Sequence, residues 1–391
     1  MKRTVWIGLI AALALTGAAS AKEPIKPAAV LTWTQAERAA RFPHIDRIFP
    51  HQIVPAGGAV HPLPKGKPLA VTLGKDGHPE TLDAFLAADH AEGLLVLQDG
   101  RVRIERYGPD LSATGHWPSF SIAKSVTSTL YGAAIRDGYI HSLDDKVTAY
   151  LPEMKGSAYD DVSIRQLLTM SSGVKWDEDY TNPKSDVARM YGTPADPGFD
   201  PIVSYMRKLP REAPAGTKWV YKTGETDLAG VLLIRATHKP LATYLSEKIW
   251  GPYGMEAPAL WMVNDQKMSP GGCCLSARLR DYARFGQFIL EGGKIEGREI
   301  LAPGWLAAAT AKQIDNGRPP GGYGYFWWIG GDGTFNGIGI FGQMLHIDPR
   351  RHLVVAVLAA WPVAYDGAHA ADHARLVKAI EAAIDGEARH P

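Results

Sequence analysis

Cysteine is almost absent from this sequence: its 391 residues include two, Cys273 and Cys274, and they are neighbours. Consecutive Cα atoms lie about 3.8 Å apart across a trans peptide, below the usual disulfide span. No disulfide framework is therefore expected, a vicinal disulfide being the less favoured alternative, and no paired C-x-x-C is present to hold zinc. Net charge is equally scarce, since 42 Lys and Arg against 41 Asp and Glu leave +1. That balance offers no basic stripe for a phosphate backbone and excludes nucleic acid as an expected partner. Beyond residue 21 no apolar run is long enough to cross a bilayer. G-x-S-x-G and H-E-x-x-H are also missing, which removes the strained serine elbow and the helical zinc-protease site. His369 and His373 stand four apart and could share a helix face, but no third ligand is near in sequence. No metal and no cofactor are expected.

What is present points to an exported two-part protein. Lys2 and Arg3 precede the apolar run 5–15, and Ala19-Ser20-Ala21 follows as an A-x-A cleavage site. Cleavage would leave a mature chain from Lys22, periplasmic or secreted and without stable membrane insertion; an uncleaved anchor is the alternative. At 391 residues, 46% of them hydrophobic, the chain exceeds one ordinary core. Residues 22–65, rich in Pro and His, read as an N-terminal arm, extended or irregular. GLLVLQDGRVRIERYG places two apolar runs around Asp99-Gly100 and predicts a hairpin. Helical pattern fills 121–250, interrupted by a polar loop over 172–201. Strand-like runs return in GQMLHIDP and HLVVAVLAAW before a last helix. The order predicts an α+β protein, with a sheet domain from 66–120 and 251–391 and a mainly helical domain over 121–250.

S-x-x-K occurs twice, at Ser121–Lys124 and Ser172–Lys175. Average composition alone yields about one such match in a chain this long, so context decides. SSGVK carries Gly173 and Val174 and starts no helical run, whereas SIAKSVTSTLYGAAIRDG reads as a helix closed by Gly138. Three-residue spacing then puts Ser121 and Lys124 on one face. A serine hydroxyl needs a neighbouring base, and a lysine can serve when burial disfavours its ammonium. The helix N-terminus adds N–H groups where an oxyanion would form. The alternative is a serine helix cap beside a solvated lysine.

PSFSIAKSVTS, GYIHSLDDKVTAYLPEMKG, VSIRQLLTMSSGVKW and SPGGCCLSARLRDYARFGQFILEGG follow one another in the order and spacing of the serine β-lactamase and penicillin-recognising superfamily. Over roughly residues 80–385 the chain resembles the class C-like branch of that family. The resemblance implies a β-lactamase/transpeptidase-like fold, an antiparallel sheet flanked by helices with an inserted all-helical domain. It also assigns Tyr221-Lys222-Thr223, ahead of TDLAGVLLIRAT, to the family's second motif, Y-x-N or Y-x-S. The K-T-G spelled by Lys222-Thr223-Gly224 is then accidental, and the third motif falls on Gly337-Ile338-Gly339, without its cation.

Within the family, GIGI-x-GQ and Trp361-Pro362-Val363-Ala364-Tyr365 are similar to the 6-aminohexanoate-dimer hydrolase type, amidases with esterase activity. That likeness implies Ser121 as nucleophile, Lys124 and Tyr221 as proton relay, and the N–H groups of Ser121 and Ile340 as oxyanion hole. Thr223, Gly339, Tyr180 and Tyr365 would line the substrate side; ordinary loop aromatics are the alternative for the two tyrosines. An ammonium beside Tyr221 is expected to draw its pKa toward the phenolate. Tyr191 stands where an acidic partner for a substrate amine would be sought. The expected activity is serine hydrolysis of small-molecule amides or esters; a β-lactamase or D,D-peptidase, and a catalytically silent ligand-binding protein, are the alternatives.

Overall fold

The computed structural model describes residues 27–389 apart from 76, 77 and 265; the export signal read from residues 1–21 lies outside them. Among the described residues no helix is long and apolar enough to cross a membrane. The fold is the α+β, β-lactamase/transpeptidase-like arrangement. Its main sheet is antiparallel and runs, in spatial order, Gly322–Tyr323, Trp328–Ile329, Phe335–Gly339, Gln343–Asp348, Leu353–Ala359, Ala91–Gln98 and Arg101–Tyr107. An early hairpin thus closes onto the last strand. Asp99 and Gly100 make its turn with φ of 50° and 71°, the two positive values a type I′ turn requires.

The sheet is covered on both faces, which is why GLLVLQ is a continuous apolar run rather than an alternating one. Leu95, Leu97, Val354, Ala356 and Leu358 point into the larger core with Leu279, Phe285 and Phe288 of the Leu279–Leu290 helix. Their neighbours Leu94, Val96, Leu353, Val355 and Val357 face Leu376, Ile380 and Ile384 of the Gly367–Arg389 helix. His369 and His373 lie on that helix, and both bond buried Asp89, at 3.2 Å and 2.8 Å. They tie the helix to the turn that leads into the Ala91–Gln98 strand.

Between the two sheet-forming segments, the Ile122–Arg136 and Thr223–Thr237 helices cross in the interior. The first is buried almost throughout despite its serines and threonines. Each hydroxyl that reaches a carbonyl removes an otherwise costly unpaired group: Ser125 Oγ donates to Phe326 O at 2.9 Å and Thr127 Oγ1 to Gly271 O at 2.7 Å.

A second, four-stranded sheet runs His51–Val54, Ala259–Met262, Leu275–Ala277, Trp117–Pro118. Over 27–54 it corrects the reading of 22–65 as an extended or irregular arm, while 55–65 carries no helix or strand. Thr34 and Glu37 close a capping box on the helix Gln35–Arg41, and His51–Val54 pairs antiparallel with Ala259–Met262. Val30, Trp33, Phe42, Ile45 and Phe49 are buried; these apolar residues, interleaved with the prolines and histidines, supply what an extended arm would lack.

Candidate active site

Trp117–Pro118 delivers the chain to the site. Ser119 is pinned to Leu275 in both directions, its N–H to Leu275 O at 2.6 Å and its hydroxyl accepting Leu275 N–H at 3.0 Å. Phe120 then adopts φ 42°, a left-handed conformation costly for a bulky residue, which turns the chain from strand to helix within one step. Ser121 follows at the helix N-cap. Its side chain makes no capping hydrogen bond, so the plain helix-cap alternative does not describe it. Instead its Oγ accepts from Lys124 Nζ at 3.1 Å.

Lys124 is 1% exposed, and its three donors are all engaged: Ser121 Oγ and Thr223 Oγ1 at 3.1 Å, and Gly272 O at 2.9 Å. Burial pulls its pKa down to about 8, and the carboxylates of Glu178 and Asp227 oppose that without cancelling it. Asp227 sits on the Thr223–Thr237 helix and accepts Gly272 N–H at 2.7 Å, so one residue presents its carbonyl to the lysine and its N–H to the lysine's counter-ion. A Cβ on Gly272 would lie 2.9 Å from Lys124 Nζ and 3.0 Å from Asp227 Oδ1, so a side chain there would displace the amine or its counter-ion. Burial also raises Asp227, to about 6, with Lys124 pulling against it.

Tyr221 is placed with its ring 5.3 Å from Lys124 Nζ and stacked on Trp328 at 5.4 Å. The expectation of a phenolate is corrected. Burial first and Glu178 second push the phenol well above its ordinary pKa, more than the neighbouring Ser121 hydroxyl lowers it. Tyr221 is a neutral phenol at rest.

Glu178 is the residue sequence reasoning missed. It accepts Tyr180 O–H at 2.6 Å and Thr223 N–H at 2.9 Å, and also bonds Thr223 Oγ1 and Trp176 Nε1. It thereby fixes Tyr180 and Thr223, two of the expected substrate-side residues, beside the lysine. Three acidic residues, Asp177, Glu178 and Asp179, precede Tyr180 in WDEDY, and that was the available signal. Asp227 and Gly272 were missed as well; the double glycine of SPGG was the hint for the latter.

Gly339 ends the Phe335–Gly339 strand against the same turn, where a Cβ would meet Ser119 O at 2.4 Å and Ser121 N at 3.1 Å. Ile340 comes next, and with Ser121, Tyr180 and Thr223 it lines a cavity of about 580 Å3. Tyr365 is not brought there. It is 60% exposed, because Ala364 O binds Phe341 N–H and Asp366 caps the last helix, turning the intervening tyrosine outward. The Ser172 pair fails too: Ser172 Oγ bonds Glu225, while Lys175 is exposed. Lys222 is fully buried 3.5 Å from Glu225, remote in role from the nucleophile. Tyr191 donates to Asp227 at 2.7 Å. The adjacent cysteines, expected unbridged, are joined as a vicinal disulfide in the cavity wall.

This fold, with serine and lysine meeting below a sheet edge, is that of the penicillin-recognising serine hydrolases. A family model described as beta-lactamase matches residues 80–379. The 6-aminohexanoate-dimer hydrolase of Paenarthrobacter ureafaciens is 30% identical over 296 residues, 72% of this chain and 75% of that protein. A solved structure from Bacillus anthracis, provisionally named a 6-aminohexanoate-dimer hydrolase, has a TM-score of 0.78 at 22% identity, covering 88% of this chain and 93% of the other. A family VIII carboxylesterase superposes with TM-score 0.60 at 16% identity, over 77% and 96% of the two chains. The chain belongs to the β-lactamase family, and it is a hydrolase of that fold.

The electrostatics make a prediction. Lys124 half-titrates near pH 8 when followed by 15N NMR of the lysine Nζ. Asp227→Asn removes an anion that holds the proton, so the midpoint moves to lower pH. A wild-type midpoint at the ordinary lysine value near 10.5, or an upward move in the variant, contradicts this arrangement.

Proposed function

We propose that the protein is an exported serine hydrolase that cleaves small amides or esters through an acyl-enzyme on Ser121. The observation that carries this reading is the uncapped Ser121 hydroxyl bonded to a buried lysine whose pKa is lowered to about 8. A neutral Lys124 accepts the Ser121 proton as Oγ attacks the carbonyl carbon. The N–H groups of Ser121 and Ile340 receive the oxyanion, where preorganised donors stabilise developing charge most effectively. Tyr221, holding its proton at rest, gives it to the departing nitrogen or oxygen and is refilled from the Lys124 ammonium. Water then attacks the acyl-enzyme with the transfers reversed, releasing acid and restoring Ser121. In this reading 66–120 with 251–391, and 121–250, are the two domains that meet across Ser121. Export rests on the N-terminal sequence pattern.

The β-lactamase and D,D-peptidase readings rank lower. Gly337, on the strand beside the nucleophile helix, has no side chain to pair with a β-lactam carboxylate. One charge-assisted hydrogen bond contributes about 1.5–3 kcal/mol, or roughly one to two powers of ten in rate. A silent binding protein would not need Ser121, Lys124 and Tyr221 together.

Two measurements test the proposal. The wild-type kcat/KM for a neutral short-chain ester exceeds that for a carboxylate-bearing cephalosporin by at least about tenfold, and Ser121→Ala abolishes both; a cephalosporin hydrolysed as fast as the ester makes β-lactamase the leading function. Tyr221→Phe lowers turnover by about 10²–10⁴, the usual worth of general acid–base transfer. The loss is larger for an amide than for an activated ester, whose leaving group needs no proton. Equal, small losses for both would leave Tyr221 a structural role only.

A further inference from the structure

The cavity at Ser121 is built for something apolar, and part of its wall lies outside the catalytic family's matched span, which begins at residue 80. Val30, Leu31, Ile45, Ile48 and Phe49 of the N-terminal segment form one side. Met262, Val263 and Met268 line it beside them, Val263 N–H bonding Pro50 O at 2.9 Å, and Val187, Met190 and Ile202 add apolar lining from the helical segment. At about 580 Å3 it lies within the range of about 300–1,000 Å3 typical of pockets that enclose a small ligand. No Asp, Glu, Lys, Arg or His is found among the described residues that line it; Asn264, Gln266 and Ser269 are the larger uncharged polar groups.

Among the described residues, the carboxylates behind the wall are already hydrogen-bonded. Glu178 holds Tyr180 and Thr223, and Asp227 holds Tyr191 and Gly272. Among the described residues that line the cavity, a substrate ammonium would find no counter-ion and a substrate carboxylate no cation, each an expensive desolvation. The N-terminal wall is also fixed in place. Arg38, 2% exposed, donates to Pro362 O at 2.7 Å and Leu31 O at 3.3 Å, and its guanidinium lies 4.1 Å over the Phe341 ring, one residue past Ile340. The segment is thus anchored to the strand end that supplies the expected oxyanion hole.

We infer that the substrate carries an uncharged, apolar chain of medium length on one side of its scissile bond, and that the N-terminal segment selects for it. This rests on the serine-hydrolase reading above. It separates the protein from a hydrolase of zwitterionic oligomers: an apolar chain gains from the cavity and a chain ending in ammonium loses.

The test uses the full chain with p-nitrophenyl esters from acetate to dodecanoate, and in parallel acetates of alcohols of matching length, so that an acyl-side and an alkoxy-side chain are told apart. In one series kcat/KM rises by up to about fourfold for each CH2 buried, then levels once the cavity is full. Replacing the chain end by an ammonium lowers kcat/KM at least tenfold. Ile48→Asp and Val263→Asp each lower the ratio of the favoured medium chain to acetate at least tenfold; labelling of Ser121 by a small fluorophosphonate reports that each variant is folded. Flat or falling profiles in both series, or an ammonium-ended chain as good as its apolar counterpart, overturn the inference while Ser121 labelling leaves the hydrolase reading standing. Wild type that is neither labelled nor active on any ester overturns both.

Discussion

One buried amine sets the conditions for everything around it. Lys124 has lost its water, and an ammonium so placed costs several kcal/mol unless neighbours replace the hydration. Three acceptors do so within 3.1 Å, and two carboxylates add longer-range attraction. Burial still wins over those anions, and the lysine is left able to release its proton near neutral pH. Glu178 holds Thr223, the missing side chain at Gly272 leaves room for the amine, and Asp227 grips the Gly272 peptide; the balance is built from these contacts. Ser121 in turn must sit at a helix start with its hydroxyl uncommitted to capping, which the left-handed turn at Phe120 arranges.

The same constraint organises the fold. Ser121 and Lys124 come from one helix, Thr223 and Asp227 from a second, Gly272 from the approach to a sheet strand, and Glu178 from a loop. A small error in packing any of them would leave a charge unpaired. The cores that hold these elements are correspondingly dense: the central strands are buried on both faces, and the nucleophile helix is covered nearly all round. The N-terminal segment adds the last wall through Arg38, whose burial draws its pKa down to about 10 and whose partners are backbone carbonyls rather than a carboxylate.

Local spacing was legible in the sequence, and distance was not. Three-residue separation on a helix marked Ser121 and Lys124, and Asp99-Gly100 marked the hairpin, because both signals lie within a few residues of one another. The order of motif blocks was the ground for reading Lys222-Thr223-Gly224 as an accidental K-T-G, and the structure leaves Lys222 paired with Glu225. Glu178 reaches the site through tertiary packing, and the acidic run before Tyr180 does not by itself say which carboxylate turns inward; Asp227, one turn after Thr223 on the same helix, shows its role only once Gly272 packs against it. Tyr365 failed for the converse reason: its motif placed it near Ile340, but a neighbouring helix cap decides which way it points. Tyr221 was placed correctly and charged incorrectly, since burial outweighs a nearby cation and no sequence pattern reports burial of one phenol.

The claim at the centre is that Lys124, in its neutral form, activates Ser121. The most direct measurement is the rate at which a small fluorophosphonate modifies the protein as a function of pH, with intact mass and peptide mapping to locate the adduct. A single adduct on Ser121, forming faster as pH rises and levelling above about 8, is the result this account predicts. An adduct on another serine, or a Ser121 rate that does not change across that range, would contradict it.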